Sequence, residues 1–525
     1  MWPFFPFCLS FLIDAHFAYA ARVPFQVRYA QPNDLSKRGV NSSVPITNTY
    51  NAEYISTITL GGSSFPVLLD TGSSDLWVAG SVSQTTSLGK SETLSYAIGK
   101  AGGEIQAATL DFAGYTVNNQ AYVQVLDTST FSFNIQAQGF SGLIGLGPNS
   151  GSKIYDDLSG STGYSVLNRI FTENNVSSPS ITFYLDRANG TAISNNGMLT
   201  IDEVLPQYSN ITSYTKLSVD KVHRLTDADQ HWQVFTDANG IIGPDGNTIT
   251  LKSIAPSAPK GQLVAVIDTG FTLTQVPRYV SDAIYGCVPG AVFDSKNQFW
   301  TVPCDSLINV SFEFGGVQIP IHPLDTVMSE FNYKDANGNT ACVGSFQPIT
   351  SAFSLLGEYD MVLGMSFLRN VYTYIDFGNF VKGGSFSYNP FVYLMPVTNQ
   401  AQAHADFVTA RMGGVDVSGN AAHALLPTDQ CQQSPIPESE KKKELQAKIL
   451  SRWPYIFLGC FIFVLLLVGF GVWKCCKRRR QRREKKLAAE LGLEGKHQRD
   501  QTYLELQDSN GYGNSQTKLN YYPSH

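Results

Sequence analysis

Charged side chains are scarce in this 525-residue chain: they make up 15% of it, against roughly 25% in average soluble proteins. The formal net charge is −6, and because the last 52 residues carry twelve basic and six acidic side chains, the remainder carries −12. An acidic chain of this kind argues against a nucleic acid partner. The chain also lacks a Cys-x-x-Cys motif and a histidine cluster, so the sequence predicts neither a metal site nor a cofactor.

The residues that are abundant favour a folded, extracellular β protein. Hydrophobic residues reach 43%, which argues against wholesale disorder, and the length allows two or more domains. Short apolar or alternating runs, such as 54–60, 120–126 and 180–185, are separated by Gly, Asn, Ser and Pro. This pattern predicts many short strands and an all-β class. Two helices are expected, at 165–172 and 277–285.

One tripeptide occurs twice, as Asp70-Thr71-Gly72 and Asp268-Thr269-Gly270. Each copy follows an aliphatic run that predicts a buried strand, and the glycine allows a sharp turn that presents a carboxylate at the strand's end. A single copy would predict only a tight turn. Each half also carries an aliphatic run with glycine, at 142–147 and 361–364, so the region from Gly39 to Asn399 reads as an internal duplication.

These motifs resemble the pepsin family of aspartic endopeptidases, with similarity from about Tyr54 to Tyr393. The layout is similar to the membrane-anchored memapsins, and the sequence to fungal pepsin-like enzymes. The resemblance implies a bilobal pepsin-like fold, with an N-terminal lobe at 39–220 and a C-terminal lobe at 221–399, acting on protein or peptide substrates. The segments that carry it are 75–78, 140–147, 362–369 and 374–377.

The resemblance also implies how the site works. Two adjacent carboxylates cannot both ionise easily, so the pair holds one proton; the ionised member takes a proton from water and the other donates one to the substrate carbonyl. An acidic optimum is expected. The implied residues are Asp70 and Asp268 as the catalytic pair; Thr71, Gly72, Ser73, Thr269, Gly270 and Thr272 in support; and Tyr96, Gly99 and Trp77 at a hairpin flap over the substrate.

Phe271 departs from this family pattern. A hydroxyl residue usually follows the second glycine, and Phe271 has no hydroxyl to offer Asp268. We expect the missing hydrogen bond to favour protonated Asp268. Ile98 in the flap is also apolar where relatives often have Thr or Asp. Two other readings therefore stay open: a non-catalytic binding protein on the same fold, and a sorting receptor or adhesion protein that acts through its tail.

The two ends of the chain predict export and a membrane anchor. Residues 1–20 are typical of a cleaved signal peptide and 21–38, ending in Lys37-Arg38, of a short propeptide of a zymogen. Residues 400–452 are predicted to form a stalk. The uncharged run 453–473 predicts a transmembrane helix, and the basic cluster after it places tail 474–525 in the cytosol. We therefore expect a single-pass type I membrane protein of the secretory pathway, in which the tail beyond the basic cluster is disordered.

Cysteines and glycosylation signals agree with export. The resemblance implies a disulfide between Cys304 and Cys342, which leaves Cys287 and Cys431 to pair, remain free or link chains. Five Asn-x-Ser/Thr sequons, at Asn41, Asn175, Asn189, Asn210 and Asn309, all precede the predicted membrane span and predict a glycoprotein. The sequence leaves the oligomeric state open.

Overall fold

The computed structural model describes residues 43–49, 52–96, 99–132, 134–158, 160–174, 176–188, 193–222, 229–335, 338–349, 358–438, 441–442, 445 and 452–505. The predicted signal peptide, the propeptide, Ile98 and the sequons at Asn41, Asn175 and Asn189 lie outside the described residues. Asn210 and Asn309 are both exposed. The chain divides into two compact units, Met1–Ser451 and Arg452–His525.

The first unit is built mainly from strands, as the sequence predicts. Its strands are β1 Ser43–Thr49, β2 Glu53–Leu60, β3 Ser63–Asp70, β4 Leu76–Ala79, β5 Thr86–Tyr96, β6 Gly99–Phe112, β7 Tyr115–Val125, β8 Gly142–Gly145, β9 Ser180–Tyr184, β10 Ile193–Ile201, β11 Leu217–Ser218, β12 Gln233–Phe235, β13 Ile241–Ile242, β14 Val264–Ile267, β15 Thr274–Val276, β16 Val292–Asp294, β17 Phe299–Val302, β18 Val310–Phe314, β19 Val317–Ile321, β20 Val327–Met328, β21 Cys342–Gly344, β22 Phe346–Pro348, β23 Met361–Leu363, β24 Val371–Asp376 and β25 Phe391–Pro396.

The α-helices of this unit are short and connect strands. They are α1 Lys153–Leu158, α2 Val166–Glu173, α3 Arg278–Tyr285, α4 Pro323–Thr326, α5 Met365–Leu368 and α6 Gln400–Arg411. The helices predicted at 165–172 and 277–285 are confirmed as α2 and α3. Ser165 and Pro277 occupy their N-cap positions, and neither side chain makes a capping hydrogen bond. Pro277 thus lies one residue before N1, the position that proline favours.

The strands form sheets of thirteen, five, three and four strands. The largest sheet joins both halves of the sequence, because β24 pairs antiparallel with β9, with Tyr374 opposite Thr182, and β25 then pairs with β24. The largest hydrophobic cluster likewise contains residues from both halves, among them Leu69 and Ile267, which are almost fully buried.

The two halves repeat one local arrangement of three strands. In the first half β8 lies between β3 and β4, parallel to β3 and antiparallel to β4. In the second half β23 lies between β14 and β15 in the same two orientations. These central strands lie in the aliphatic-glycine runs 142–147 and 361–364, so the internal duplication is confirmed at the level of sheet topology.

Residues 400–434 differ from the predicted stalk. Helix α6 buries Ala403, Phe407 and Val408, Cys431 forms a disulfide with Cys287, and Ser434 is 5% exposed. The sequence did not indicate this packing because only a narrow stripe of α6 is apolar and the disulfide partner lies 144 residues away. The second disulfide, Cys304–Cys342, is the one the resemblance implied.

The second unit contains one long helix, α7, at Trp453–Glu505. The stretch Tyr455–Gly492 contains a window long and apolar enough to cross a membrane by length and composition. The helix continues through the basic cluster, so the expectation of a largely disordered tail is wrong as far as Glu505. Lys, Arg, Glu, Ala and Leu are strong helix formers, and Arg480 pairs with Glu484 one turn later at 3.1 Å.

Candidate active site

The two repeated aspartates lie at equivalent strand ends. Asp70 is the last residue of β3, and Asp268 directly follows β14. The neighbouring central strand fixes each backbone, since Leu146 N–H donates to Asp70 O at 2.7 Å and Asp268 N–H donates to Leu363 O at 3.1 Å. Both side chains are buried, with 5% and 8% of their surface exposed. The fold therefore presents two sheltered carboxylates at one place.

The two threonines cross-link the turns through four hydrogen bonds. Thr71 Oγ1 donates to Ile267 O at 2.9 Å and accepts from Thr269 N at 3.0 Å. Thr269 Oγ1 donates to Leu69 O at 2.7 Å and accepts from Thr71 N at 3.1 Å. Each hydroxyl is buried and uses both its donor and its acceptor capacity, so the pattern fixes one turn relative to the other.

The glycines of the motif allow the carboxylates to meet. Gly72 N–H donates to Asp70 Oδ1 at 2.8 Å, and Gly270 N–H donates to Asp268 Oδ1 at 2.7 Å. A Cβ on Gly270 would lie 2.5 Å from Asp70 Oδ1 and 3.1 Å from Asp268 Oδ1, and a Cβ on Gly72 would collide with the Asp268 carboxylate. Both positions therefore exclude any side chain.

The two carboxylates differ in their third partner. Ser73 Oγ donates to Asp70 Oδ2 at 2.5 Å. Phe271, at the equivalent place in the second turn, packs its ring against the hydrophobic cluster that contains Val266, Tyr359 and Val362. The hydroxyl of Thr272 does not supply the donor that Phe271 lacks, because Thr272 Oγ1 donates to Ala52 O at 2.7 Å.

This asymmetry accompanies an unusual electrostatic environment at Asp268. Burial raises the pKa of Asp268 well above its usual value, and the negative charge of Asp70 raises it further, while the N–H groups of Gly270 and Phe271 oppose the rise. Charged carboxylates are penalised in a desolvated site, and a second carboxylate adds to the penalty. The carboxyl of Asp268 therefore keeps its proton to higher pH than an isolated aspartate does.

The predicted flap forms the hairpin of β5 and β6, in which Tyr96 pairs with Gly99. The Tyr96 ring lies 6.3 Å from that of Trp77, which stacks in turn on Phe131 at 5.4 Å. Gly99 has a φ of 148°, and a Cβ there would lie 2.7 Å from Phe131 Cα. Burial raises the pKa of Tyr96, and the charges of Asp75 and Asp70 add to this, so the phenol stays neutral beside the pair.

His231 also contacts the site, although no sequence motif singled it out. Its Nδ1 lies 3.0 Å from Gly72 O, across 159 residues of sequence. Its ring meets that of Tyr359 edge-on at 5.8 Å, and Tyr359 packs in the same cluster as Phe271. A single histidine before Trp232 carries no pattern that would have revealed this contact.

Comparisons with known proteins point to one family. A family model described as eukaryotic aspartyl protease matches residues 53–383. The chain is 27% identical over 383 residues to Major aspartyl peptidase 1 of Cryptococcus neoformans, an alignment that covers 68% of this chain and 71% of that protein. It is 25% identical to a protein of Arthroderma benhamiae named "Probable aspartic-type endopeptidase CTSD", covering 66% of this chain and 62% of that protein. It is 26% identical to Vacuolar protease A of Neurospora crassa, covering 64% and 79%.

The matched residues, 53–383, span more than half of the chain and include both aspartate turns, the flap and the strands that hold them. The chain belongs to the eukaryotic aspartyl protease family and is an aspartic-type endopeptidase, a hydrolase.

Proposed function

We propose that the chain is a membrane-anchored aspartic endopeptidase in which Asp70 and Asp268 activate one water between them. The observation that carries this proposal is the pair of equivalent turns, cross-linked by Thr71 and Thr269, that bring the two buried carboxylates together. The proposal assigns unequal roles to the aspartates, because their hydrogen-bond partners are unequal.

Asp70 acts as the base in this mechanism. Gly72 N–H and Ser73 O–H both donate to it, which favours the ionised form. As the water oxygen attacks the peptide carbonyl carbon, Asp70 takes one water proton and Asp268 donates its proton to the carbonyl oxygen. The tetrahedral diol then collapses: one of its hydroxyls returns a proton to Asp268 as the carbonyl re-forms, the C–N bond breaks, and the leaving nitrogen takes the proton held by Asp70.

The pH dependence follows from the single shared proton. Activity is lost at low pH when both carboxyls are protonated, and at high pH when Asp268 releases its proton. Because the pKa of Asp268 is raised, the loss of activity on the alkaline side occurs at a higher pH than with an aspartate of ordinary pKa. One relative is named as a vacuolar protease, and an acidic compartment of the secretory pathway would populate the active form.

The anchor is part of the same proposal. Residues 453–473 cross the membrane as the start of α7, the catalytic unit lies on the lumenal side, and the basic cluster from Lys474 to Lys486 lies in the cytosol. The uncharged run and the nine basic residues after it support this orientation. Protease digestion of a C-terminal tag in intact membrane vesicles tests this orientation. A tag that is digested only after the vesicles are lysed would show that the tail is lumenal and would contradict the proposed orientation.

The activity test uses the full chain purified in detergent, incubated with a denatured protein substrate from about pH 3 to pH 7. We expect cleavage that a statine-type inhibitor blocks and that falls at least about 10³-fold in Asp268→Asn. Equal melting temperatures of the two proteins would show that the variant is folded. Inhibitor binding without any cleavage by the wild type would favour the non-catalytic binding protein instead.

A further inference from the structure

His231 lies on a backbone segment that is braced between the two catalytic turns. The next residue, Trp232, is fully buried; its carbonyl accepts from Ile267 N at 2.8 Å and its indole N–H donates to Leu146 O at 3.1 Å. Leu146 N–H donates to Asp70 O, and Ile267 immediately precedes Asp268. The position of His231 is therefore tied to both turns at once.

The ring of His231 reaches the first turn at Gly72. Since Gly72 O is a carbonyl and can only accept, the hydrogen in the 3.0 Å contact is on His231 Nδ1. This bond holds the peptide between Gly72 and Ser73. The backbone N–H of Gly72 donates to Oδ1 of Asp70, and the hydroxyl of Ser73 donates to Oδ2. A shift of this peptide would move both donors of Asp70 together.

Two carboxylates face His231, one from its own segment and one from the first turn. The charges of Asp229 and Asp70 both favour the protonated imidazole, but burial outweighs them and lowers the pKa of His231. Asp229 is partly neutralised by Lys153 at 2.9 Å. From the second half the ring meets Tyr359, which burial keeps neutral by raising its pKa. Protonation of His231 is thus shifted into the acidic range where the enzyme is proposed to work.

We propose that His231 is a positioning residue of the first turn and that its second proton, gained at acidic pH, places a positive charge that keeps Asp70 ionised. This inference rests on the proposed peptidase function. In the neutral form, Nδ1–H fixes the Gly72–Ser73 peptide. In the cationic form the bond to Gly72 persists and the added charge opposes protonation of the base, so activity extends to lower pH than the carboxylates alone would allow.

The test compares His231→Asn with His231→Leu in the full chain. The side-chain amide of Asn places its N–H close to Nδ1 and can keep the bond to Gly72, but it cannot become charged; Leu loses both. We expect both variants to move the acid limb of kcat/KM upward by about one pH unit. We expect only the Leu variant to lose about tenfold in kcat at the optimum, with Asn retaining most of it.

Three results would overturn the inference. An acid limb that stays in place in both variants removes the electrostatic role, and equal kcat losses in Asn and Leu remove the hydrogen-bond role. A change in melting temperature alone, with an unchanged pH profile, would make His231 merely structural. If Leu does not fold, the Asn profile still decides the electrostatic role.

A wild-type enzyme without activity would refute the proposed function rather than the contact. The titration of His231, followed by histidine-selective carbon labelling and nuclear magnetic resonance in the full chain, then decides. We expect the pKa of His231 to fall further in Asp70→Asn, because a neighbouring negative charge is removed. An unchanged titration in that variant would show that the two side chains are not coupled.

Discussion

The two Asp-Thr-Gly turns share one strand arrangement but hold their carboxylates differently. The first turn gives Asp70 a backbone N–H and a serine hydroxyl, and a histidine from the other half supports its peptide. Among the described residues of the second turn, the donors to Asp268 are the backbone N–H groups of Gly270 and Phe271, and the ring of Phe271 joins a hydrophobic cluster. The difference teaches that a duplicated scaffold can surround its two carboxylates with different hydrogen-bond donors when the residue after the glycine changes from Ser73 to Phe271.

The two turns are alike in the steric demand at their glycines, where we expect the largest effects among changes to residues that support the carboxylates. Gly72→Ala and Gly270→Ala each place a Cβ against the opposite carboxylate, which forces the pair apart. A displacement of about 1 Å in a catalytic group can cost about 10²-fold, so we expect at least that loss in kcat/KM from either variant. Gly419→Ala, at an exposed position with no atom within 4 Å of its Cβ, is the matched control. Wild-type activity in either turn variant would show that the carboxylates do not need this separation.

The threonine cross-links should be equally important in both turns. Thr71→Val and Thr269→Val each remove one buried hydroxyl and leave a backbone N–H and a carbonyl without their partner. We expect each to lower the free energy of unfolding by about 1–3 kcal/mol, measured by urea denaturation with the inhibitor absent. A large loss of unfolding free energy in one variant and none in the other would contradict equal contributions of the two threonines to stability.

The asymmetric part of the comparison should appear as a pH shift rather than a loss of activity. Phe271→Thr offers Asp268 a hydroxyl donor, which favours the ionised carboxylate and lowers its pKa. Asp268 then releases its proton at lower pH, so the alkaline limb of kcat/KM moves to lower pH by about one unit. Phe271→Val has the shape of threonine without the hydroxyl and controls for the lost ring packing. Coincident alkaline limbs in the Thr and Val variants would contradict this account of the second turn.

Much of the fold and of the site could be predicted from local sequence alone. The repeated tripeptide, its aliphatic lead-in and the glycine that follows are contiguous, so they predict a strand, a turn and a carboxylate at its end without knowledge of the partners. The helices at 165–172 and 277–285 carry their entry signals in the sequence as well. Thr272 shows the limit of prediction from local sequence, because its hydroxyl donates a hydrogen bond to the carbonyl of Ala52, 220 residues away.

What the sequence by itself determined is therefore the class of fold, the two turns and an apolar run long enough to cross a membrane, since each depends on neighbours within one element. The tertiary structure decided that Cys287 pairs with Cys431, that residues 400–434 pack on the catalytic unit, and that His231 supports Gly72. These contacts join residues far apart in the chain. They depend on how whole sheets and helices pack, and no local period or spacing records that packing.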